Sequence, residues 1–181
     1  MAARFDPVKN HKLALKLYDY FKGEFILDFY GNGMNHENLE LKNLINTIVV
    51  NSNYGNLGLK GEVSDLLSKF IDYDFILLTS NQEGLPITII EASQNALIPI
   101  ASNVGDTINA ASGYGFFFES NIFSDLVDKF KSAKLILDKD NYANNYSDYY
   151  KISKNIYEES NYKWKLNQYL KILYYQAMFL V

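Results

Sequence analysis

The sequence predicts an α/β fold: a Rossmann-like, doubly wound parallel sheet with helices on both faces and further helices at the carboxyl end. Three observations predict it. Short apolar runs recur at residues 25–30, 74–79 and 98–102, each closed by a turn or a polar residue. Stretches of helical periodicity lie between them, and strand alternating with helix builds a parallel sheet covered on both faces. Right-handed crossovers then give a doubly wound layer structure. From Phe123 onward the periodicity is helical only.

Taken in order, residues 2–5 fit a first strand and a helix begins near His11. Phe25-Ile26-Leu27-Asp28-Phe29-Tyr30 reads as a strand ending at the turn Gly31-Asn32-Gly33. A helix over 35–46 carries Leu39, Leu41, Leu44 and Ile45, and Thr47-Ile48-Val49-Val50 reads as a short strand. A polar loop over 51–58 leads to a strand over 59–63. Ser64 is placed to cap a helix through Tyr73, with Leu66, Leu67, Phe70 and Ile71 on its apolar side. Strand 74–79, helix 86–97, strand 98–102 and an aromatic strand over 113–118 complete the sheet.

Phe123, Leu126, Val127, Phe130, Ala133 and Leu137 keep the spacing of a helix face. Tyr142, Tyr146, Tyr149, Tyr150 and Tyr157 fall mostly at steps of three or four, which reads as a packing stripe. A final helix over 161–178 carries Trp164, Leu166, Tyr169, Leu170 and Leu173. With no repeat and no long linker, the chain is expected to be one domain over 1–181, with 140–181 as a helical segment packed on it.

Composition narrows the function. Hydrophobic residues make up 48% of the 181 and charged ones 21%, as in ordinary globular proteins. A net charge of −4 supplies no basic field, so nucleic acid is set aside as a partner on electrostatic grounds. The absence of cysteine excludes disulfides and thiolate chemistry and is compatible with a cytoplasmic site. His11 and His36 lie far apart, each reading as a surface or capping residue, so no metal site is expected. No signal peptide is visible, and the apolar tail over 173–181 falls short of the ~20 residues that cross a bilayer. Lys163, Lys165 and Lys171 beside aromatics permit peripheral contact with the inner face of a membrane.

The chemistry concentrates in Glu83-Gly84-Leu85-Pro86-Ile87-Thr88-Ile89-Ile90-Glu91. Pro86 suits the first turn of a helix, and Gly84 lets a ligand approach the backbone. The amides of the first turn, around Leu85 to Thr88, point outward at the positive end of the helix dipole and form an anion site suited to phosphate. A carboxylate beside such a site accepts hydrogen bonds from hydroxyls, and its two oxygens match a vicinal diol. A phosphate flanked by two polyhydroxyl groups describes a nucleotide-sugar.

A hydrolase would need its carboxylates ~5–5.5 Å or ~6.5–9.5 Å apart. Eight helical positions span ~12 Å, too far unless the loop folds back. Two plain surface glutamates would be the better reading of a bare spacing, but the Gly-Leu-Pro insert and the flanking strands favour a ligand. Arg4 and Lys9, five apart across Asp6-Pro7, add a planar bidentate donor and a mobile point charge for diphosphate oxygens.

Together these residues resemble the carboxyl-terminal, donor-binding domain of GT-B-fold retaining glycosyltransferases of family 4, the glycosyl transferases group 1. The likeness covers nearly the whole chain. Arg4…Lys9-Asn10 is similar to the family's Gly-Arg…Lys-Gly opening, and Tyr30-Gly31-Asn32-Gly33 to its Gly-x-Gly turn. Leu59-Lys60-Gly61-Glu62-Val63 resembles the turn that cradles the nucleobase. Residues 80–92 are similar to its E-x7-E signature, and 99–105 to the family's next strand and turn.

The resemblance implies that Arg4 and Lys9 bind the donor diphosphate and stabilise charge as it leaves. It implies that Glu83 contacts sugar hydroxyls, that Gly84, Leu85, Pro86 and Ile87 line the sugar and phosphate, and that Glu91 binds the ribose diol. Glu62 and Val63 would lie near the base. The implied reaction is hexosyl transfer with retention, from a nucleotide diphosphate sugar to a glycan or lipid-linked acceptor in surface-polysaccharide synthesis of bacterial type, with no metal or other cofactor.

The chain departs from the pattern at Ala3 and Asn10, where the family has glycine, and at Asp106-Thr107-Ile108-Asn109, where it often has Gly-x-x-Glu. The resemblance also implies a second, N-terminal domain for the acceptor, so Met1 reads as an artificial start in an excised domain. Three organisations stay open: half of a transferase inactive alone, a free-standing subunit pairing with an acceptor-domain protein, and a non-catalytic nucleotide-binding module.

Overall fold

The structure is a computed structural model that describes residues 1–51, 54–95 and 97–137. Within them the order is α1 (His11–Tyr20), β1 (Leu27–Tyr30), α2 (Leu39–Ile48), β2 (Leu57–Gly61), β3 (Phe75–Leu78), α3 (Ile87–Gln94), β4 (Ile98–Ser102), α4 (Thr107–Ala110), β5 (Phe116–Phe118) and α5 (Phe123–Lys134). The expected tyrosine stripe, the final helix and the 140–181 segment lie outside the described residues.

All strand pairings are parallel. β1 pairs with β2 in one sheet, and β3, β4 and β5 form a second in that order. Residues 1–3 lie between the sheets. Ala2 bridges Tyr30 in parallel, with Ala3 N–H donating to Tyr30 and Tyr30 N–H donating to Met1. On the other side Ala2 packs in one cluster with Ile76 and Leu78 of β3. The lateral order is therefore β2, β1, residues 1–3, β3, β4, β5. Chain order reverses at the junction of residues 1–3 with β3, where open α/β sheets bind ligands beyond their carboxyl ends.

Strand alternation sends successive side chains to opposite faces and so makes two cores. Phe29, Leu77, Ile100 and Phe118 face α1, α2 and α5. Ile76, Leu78 and Ala101 face Ile89 and Ala92 of α3, Ala110 of α4, and Phe70. Helices thus cover both faces, as the alternation predicts.

Four local expectations need correction. The strand expected over 47–50 does not form: Thr47 and Ile48 end α2, and Val49 caps it. Leu41, Ile45 and Val49, four apart, are all buried, so the helical stripe outlasts the β-branched cluster. That helix begins at Leu39 rather than Asn35, because Asn38 Oδ1 accepts the Leu41 N–H at 3.1 Å and makes the cap. The helix expected over 64–73 is a 3₁₀ stretch over Leu67–Asp72, in which Phe70 is buried while Leu67 and Ile71 stay exposed. One buried anchor cannot hold a full α-helical face, and Asp65, not Ser64, accepts the Ser68 N–H. His11, expected at the surface, is buried against the rings of Phe5 and Phe29.

Candidate functional site

The carboxyl end of β3 builds the centre of the site. The apolar strand closes on Thr79 and Ser80, both buried, and their side chains tie neighbouring loops together. Thr79 Oγ1 lies 3.0 Å from the carbonyls of both Lys9 and Asn10, which draws the loop of Lys9 to the strand end. Asn81 N–H donates to Val8 at 2.8 Å, and Ser102 Oγ donates to Ser80 at 2.7 Å.

Those ties set the charges. Lys9 Nζ donates to Glu83 Oε1 at 2.8 Å and Oε2 at 3.1 Å, and Ser80 Oγ donates to Glu83 Oε1 at 2.5 Å. The pair is mostly enclosed, with 23% of the Lys9 and 10% of the Glu83 side chain exposed. A carboxylate this far from water requires its counterion, and Lys9 supplies it.

Asn10, where the resemblance expects glycine, has φ +49°. Asparagine is among the few side chains that adopt this left-handed conformation at low cost, so the turn after Lys9 survives the exchange. Asn10 Nδ2 also donates to Asn81 and Asn121, which fastens the start of α1 to β3 and to the loop after β5.

Past Glu83 the chain enters α3. Pro86 occupies the capping position rather than the first turn, one residue earlier in the helix than expected, within the usual spread of helix boundaries. No protein acceptor takes the N–H groups of Gly84, Leu85, Ile87 and Thr88 among the described residues. Leu85 and Ile87 are half exposed, so these amides open to solvent at the positive end of α3.

Gly105 supports them from behind. With φ +55°, it lies so close that a Cβ there would fall 2.0 Å from the Glu83 carbonyl oxygen, and Asp106 N–H donates to Gly84 at 2.9 Å. Glu91, the fifth residue of α3, is partly buried, and its carboxylate has no hydrogen-bond or ion-pair partner among the described residues.

Arg4 stands apart from Lys9. Its guanidinium pairs with Asp6 through Nε and Nη2, both at 3.1 Å, with 70% of the side chain exposed. Donation from Val8 N–H, helped by Arg4, holds the Asp6 carboxyl below its usual range. Arg4 lines a groove of about 250 Å³ with Tyr30, Gly31, Asn32, Glu62 and Val63. Gly31, at φ +128°, lets residue 3 pass within contact of the turn, since a Cβ would lie 2.5 Å from the Ala3 carbonyl oxygen. Glu62 accepts a long hydrogen bond from Asn32 at 3.4 Å.

Apart from Glu91, which lies a turn farther along α3, the predicted residues fall into two groups. Lys9, Glu83 and the 84–87 backbone converge at the start of α3, while Arg4, Glu62 and Val63 converge at the ends of β1 and β2. In the sequence, Ser80, Asn81 and Gly105 figure only within matched motifs and Thr79 only as the end of a strand, none with a supporting role. The polar pair Thr79-Ser80, closing an apolar strand, was the visible signal for those two. Among the described residues no group of three or more histidine or acidic side chains gathers to hold a metal, and no helix is long and apolar enough to cross a membrane.

The family model described as glycosyl transferases group 1 matches residues 1–152. No curated protein gives a significant match. Among solved structures, a glycosyltransferase from Rickettsia africae ESF-5 superposes with TM-score 0.71 at 22% identity, covering 99% of this chain and 47% of that one. A TarM mutant from S. aureus, solved with fondaparinux, alpha-GlcNAc-glycerol and UDP, gives 0.64 at 21% identity over 94% of this chain and 34% of that one. The catalytic domain of cholesterol-alpha-glucosyltransferase from Helicobacter pylori gives 0.57 at 18% identity, over 86% of this chain and 96% of that domain. The chain thus spans less than half of the first two proteins. At these identities the likeness concerns the fold.

Proposed function

The chain belongs to the glycosyl transferases group 1 family, and on that premise we propose that it is the donor-binding half of a retaining hexosyltransferase that uses a nucleotide diphosphate sugar. The observation that carries this reading is the Lys9–Glu83 pair set beside four unpaired amides at the start of α3, next to the point where strand order reverses. Positive backbone dipoles, an ammonium and a carboxylate in one corner suit a phosphate joined to a polyol. UDP bound to the TarM relative supports a nucleotide as the occupant.

In this reading the diphosphate rests on the amides of residues 84–88. Lys9 keeps one N–H beyond the two that serve Glu83 and turns it to the phosphate. Arg4, exposed and able to leave Asp6, adds the bidentate contact. Glu83 accepts from sugar hydroxyls and Glu91 from the ribose diol, while the groove at Glu62 and Val63 takes the base. As the bond from the anomeric carbon to the diphosphate breaks, negative charge grows on the leaving oxygen, and the preset cations and amides stabilise it. The proposed chemistry draws on no metal.

The acceptor wall belongs to another domain or a partner subunit, so the chain alone binds donor and transfers little. Coverage of less than half of two longer relatives supports that organisation. A glycan or lipid-linked acceptor at the cytoplasmic membrane face completes the proposal.

Isothermal titration tests it. Nucleoside diphosphates should bind the chain, and Glu91→Ala should lose about tenfold in affinity, on the order of one charge-assisted hydrogen bond. Binding indistinguishable from background, with no effect of Glu91→Ala, removes the assignment.

A further inference from the structure

Asp28 lies on β1 with its side chain on the face away from Leu27 and Phe29, buried over Gly58 of β2. The fit needs that glycine, since a Cβ on residue 58 would fall 1.8 Å from Asp28 Oδ1. Tyr73, just before β3, donates its hydroxyl to Asp28 Oδ2. A phenol has one proton, so in the 2.9 Å contact between the hydroxyls of Tyr30 and Tyr73 the donor is Tyr30. Lys60 Nζ stands 3.5 Å from the same carboxylate oxygen. Burial, followed by the bond to Asp28, pushes the Tyr73 phenol up, which keeps it a donor. The result is a directed chain, Tyr30 to Tyr73 to Asp28, linking the approach to β3 with β1.

Tyr30 lines the groove of Arg4, Asn32, Glu62 and Val63, whereas Tyr73 does not. The Tyr30 hydroxyl is engaged by Tyr73, which is not one of the groove residues. Tyr30, Tyr73 and Asp28 also border a separate cavity of about 20 Å³, with room for no more than a water molecule. Edge-on contact between the two rings, with centroids 6.2 Å apart at 84°, further restricts Tyr30.

We propose that Tyr73 and Asp28 are positioning residues that hold Tyr30 as an aromatic wall of this groove, presenting ring surface and withholding its hydroxyl from the ligand. The proposal rests on the donor-binding reading above and adds what discriminates the nucleoside end. A wall without a donor proton suits the flat face or edge of a nucleobase, and leaves polar discrimination to Glu62 and the backbone. Freed from Tyr73, the Tyr30 ring would regain rotamers and its hydroxyl could enter the groove as a competing donor.

The test titrates the full chain with UDP, GDP, ADP and inorganic pyrophosphate. Wild type should bind one nucleoside diphosphate more tightly than pyrophosphate. Tyr73→Phe, which keeps the ring and removes the link, should weaken that nucleotide about fivefold, on the order of one hydrogen bond, and flatten the ranking of the three. Its affinity for pyrophosphate should stay within about twofold. Tyr30→Phe, which frees the ring but carries no hydroxyl, should weaken the nucleotide through the loosened ring alone, by less than Tyr73→Phe, and serves if Tyr73→Phe melts early.

Unchanged nucleotide affinity and ranking in either folded variant overturns the proposal, as does an equal loss for pyrophosphate, which would signal damage to the fold. Wild type binding pyrophosphate as tightly as every nucleotide sinks the groove while leaving the diphosphate site standing. No binding of either kind sinks both.

Discussion

Lys9 and Glu83 meet across 74 positions of sequence, and each makes the other tolerable in a nearly closed corner. Lys9→Met leaves the nearly buried Glu83 carboxylate with Ser80 as its one side-chain partner among the described residues. Urea unfolding should show a loss of about 3 kcal/mol, the low end of the roughly 3–5 kcal/mol for removing one partner of a buried pair, because 23% of the Lys9 side chain is exposed. Adding Glu83→Gln should recover part of that loss, because a neutral amide needs no counterion; no recovery would mean that the pair is not coupled. Both residues were legible as candidates, Lys9 from its spacing to Arg4 and Glu83 from its motif. Their contact was not, since it depends on the loop of Lys9 hanging from Thr79. Asn10 carries the converse lesson. It departs from the glycine of the family pattern, yet φ +49° suits asparagine and the turn holds.

At the scale of elements, the entry to α3 and the loop after β4 act as one unit. Gly105→Ala would place a methyl group in the Glu83 carbonyl and strain φ +55°. It should cost about 2 kcal/mol or more in thermal or urea unfolding. Gly84→Ala is the control, because its Cβ would meet nothing within 4 Å; stability should stay within about 0.5 kcal/mol while nucleotide binding falls. Equal destabilisation by both would break the distinction between support and ligand surface. Strands β1, β3, β4 and β5 were legible because an apolar run closed by turn residues admits few alternatives. The 47–50 segment misled because β-branched residues mark strands only where no helical stripe claims them, and Leu41, Ile45 and Val49 claim this one. The 3₁₀ stretch misled because Leu67 and Ile71 match a helical period without finding a core.

Across the whole molecule, two cores share one sheet layer, and His11 sits in the larger one's neighbourhood between Phe5 and Phe29 with its Nε2 unbonded among the described residues. Burial chiefly, then the amino-terminal charge, lowers its pKa to about 4, against 6.5 for an unfolded histidine. The unfolded chain takes up that proton first. The contribution is complete above about pH 6.5 and is lost as pH falls toward 4, about 3 kcal/mol in all. Denaturation midpoints should slope upward with pH across this window, and His11→Phe should reduce the slope without abolishing it, because burial also lowers the amino terminus from 8.0 to about 5. An unchanged slope in that variant would assign it to other groups. The doubly wound order was legible from alternation alone, whereas the division of site residues between two corners was not, because it depends on how far residues 1–3 run between the sheets.

That central placement of the first residues has a kinetic consequence. Ala2 pairs with Tyr30 and packs on β3, so the middle of the layer stays open until a segment distant in sequence from β3 inserts. Closing a loop of that length costs chain entropy before any contact compensates it, and parallel pairing of this kind folds slowly. Lys9, Thr79 and Glu83 come together in the same event. On the donor-binding proposal, a bound nucleotide would select chains in which this insertion is complete and draw the population toward them by mass action.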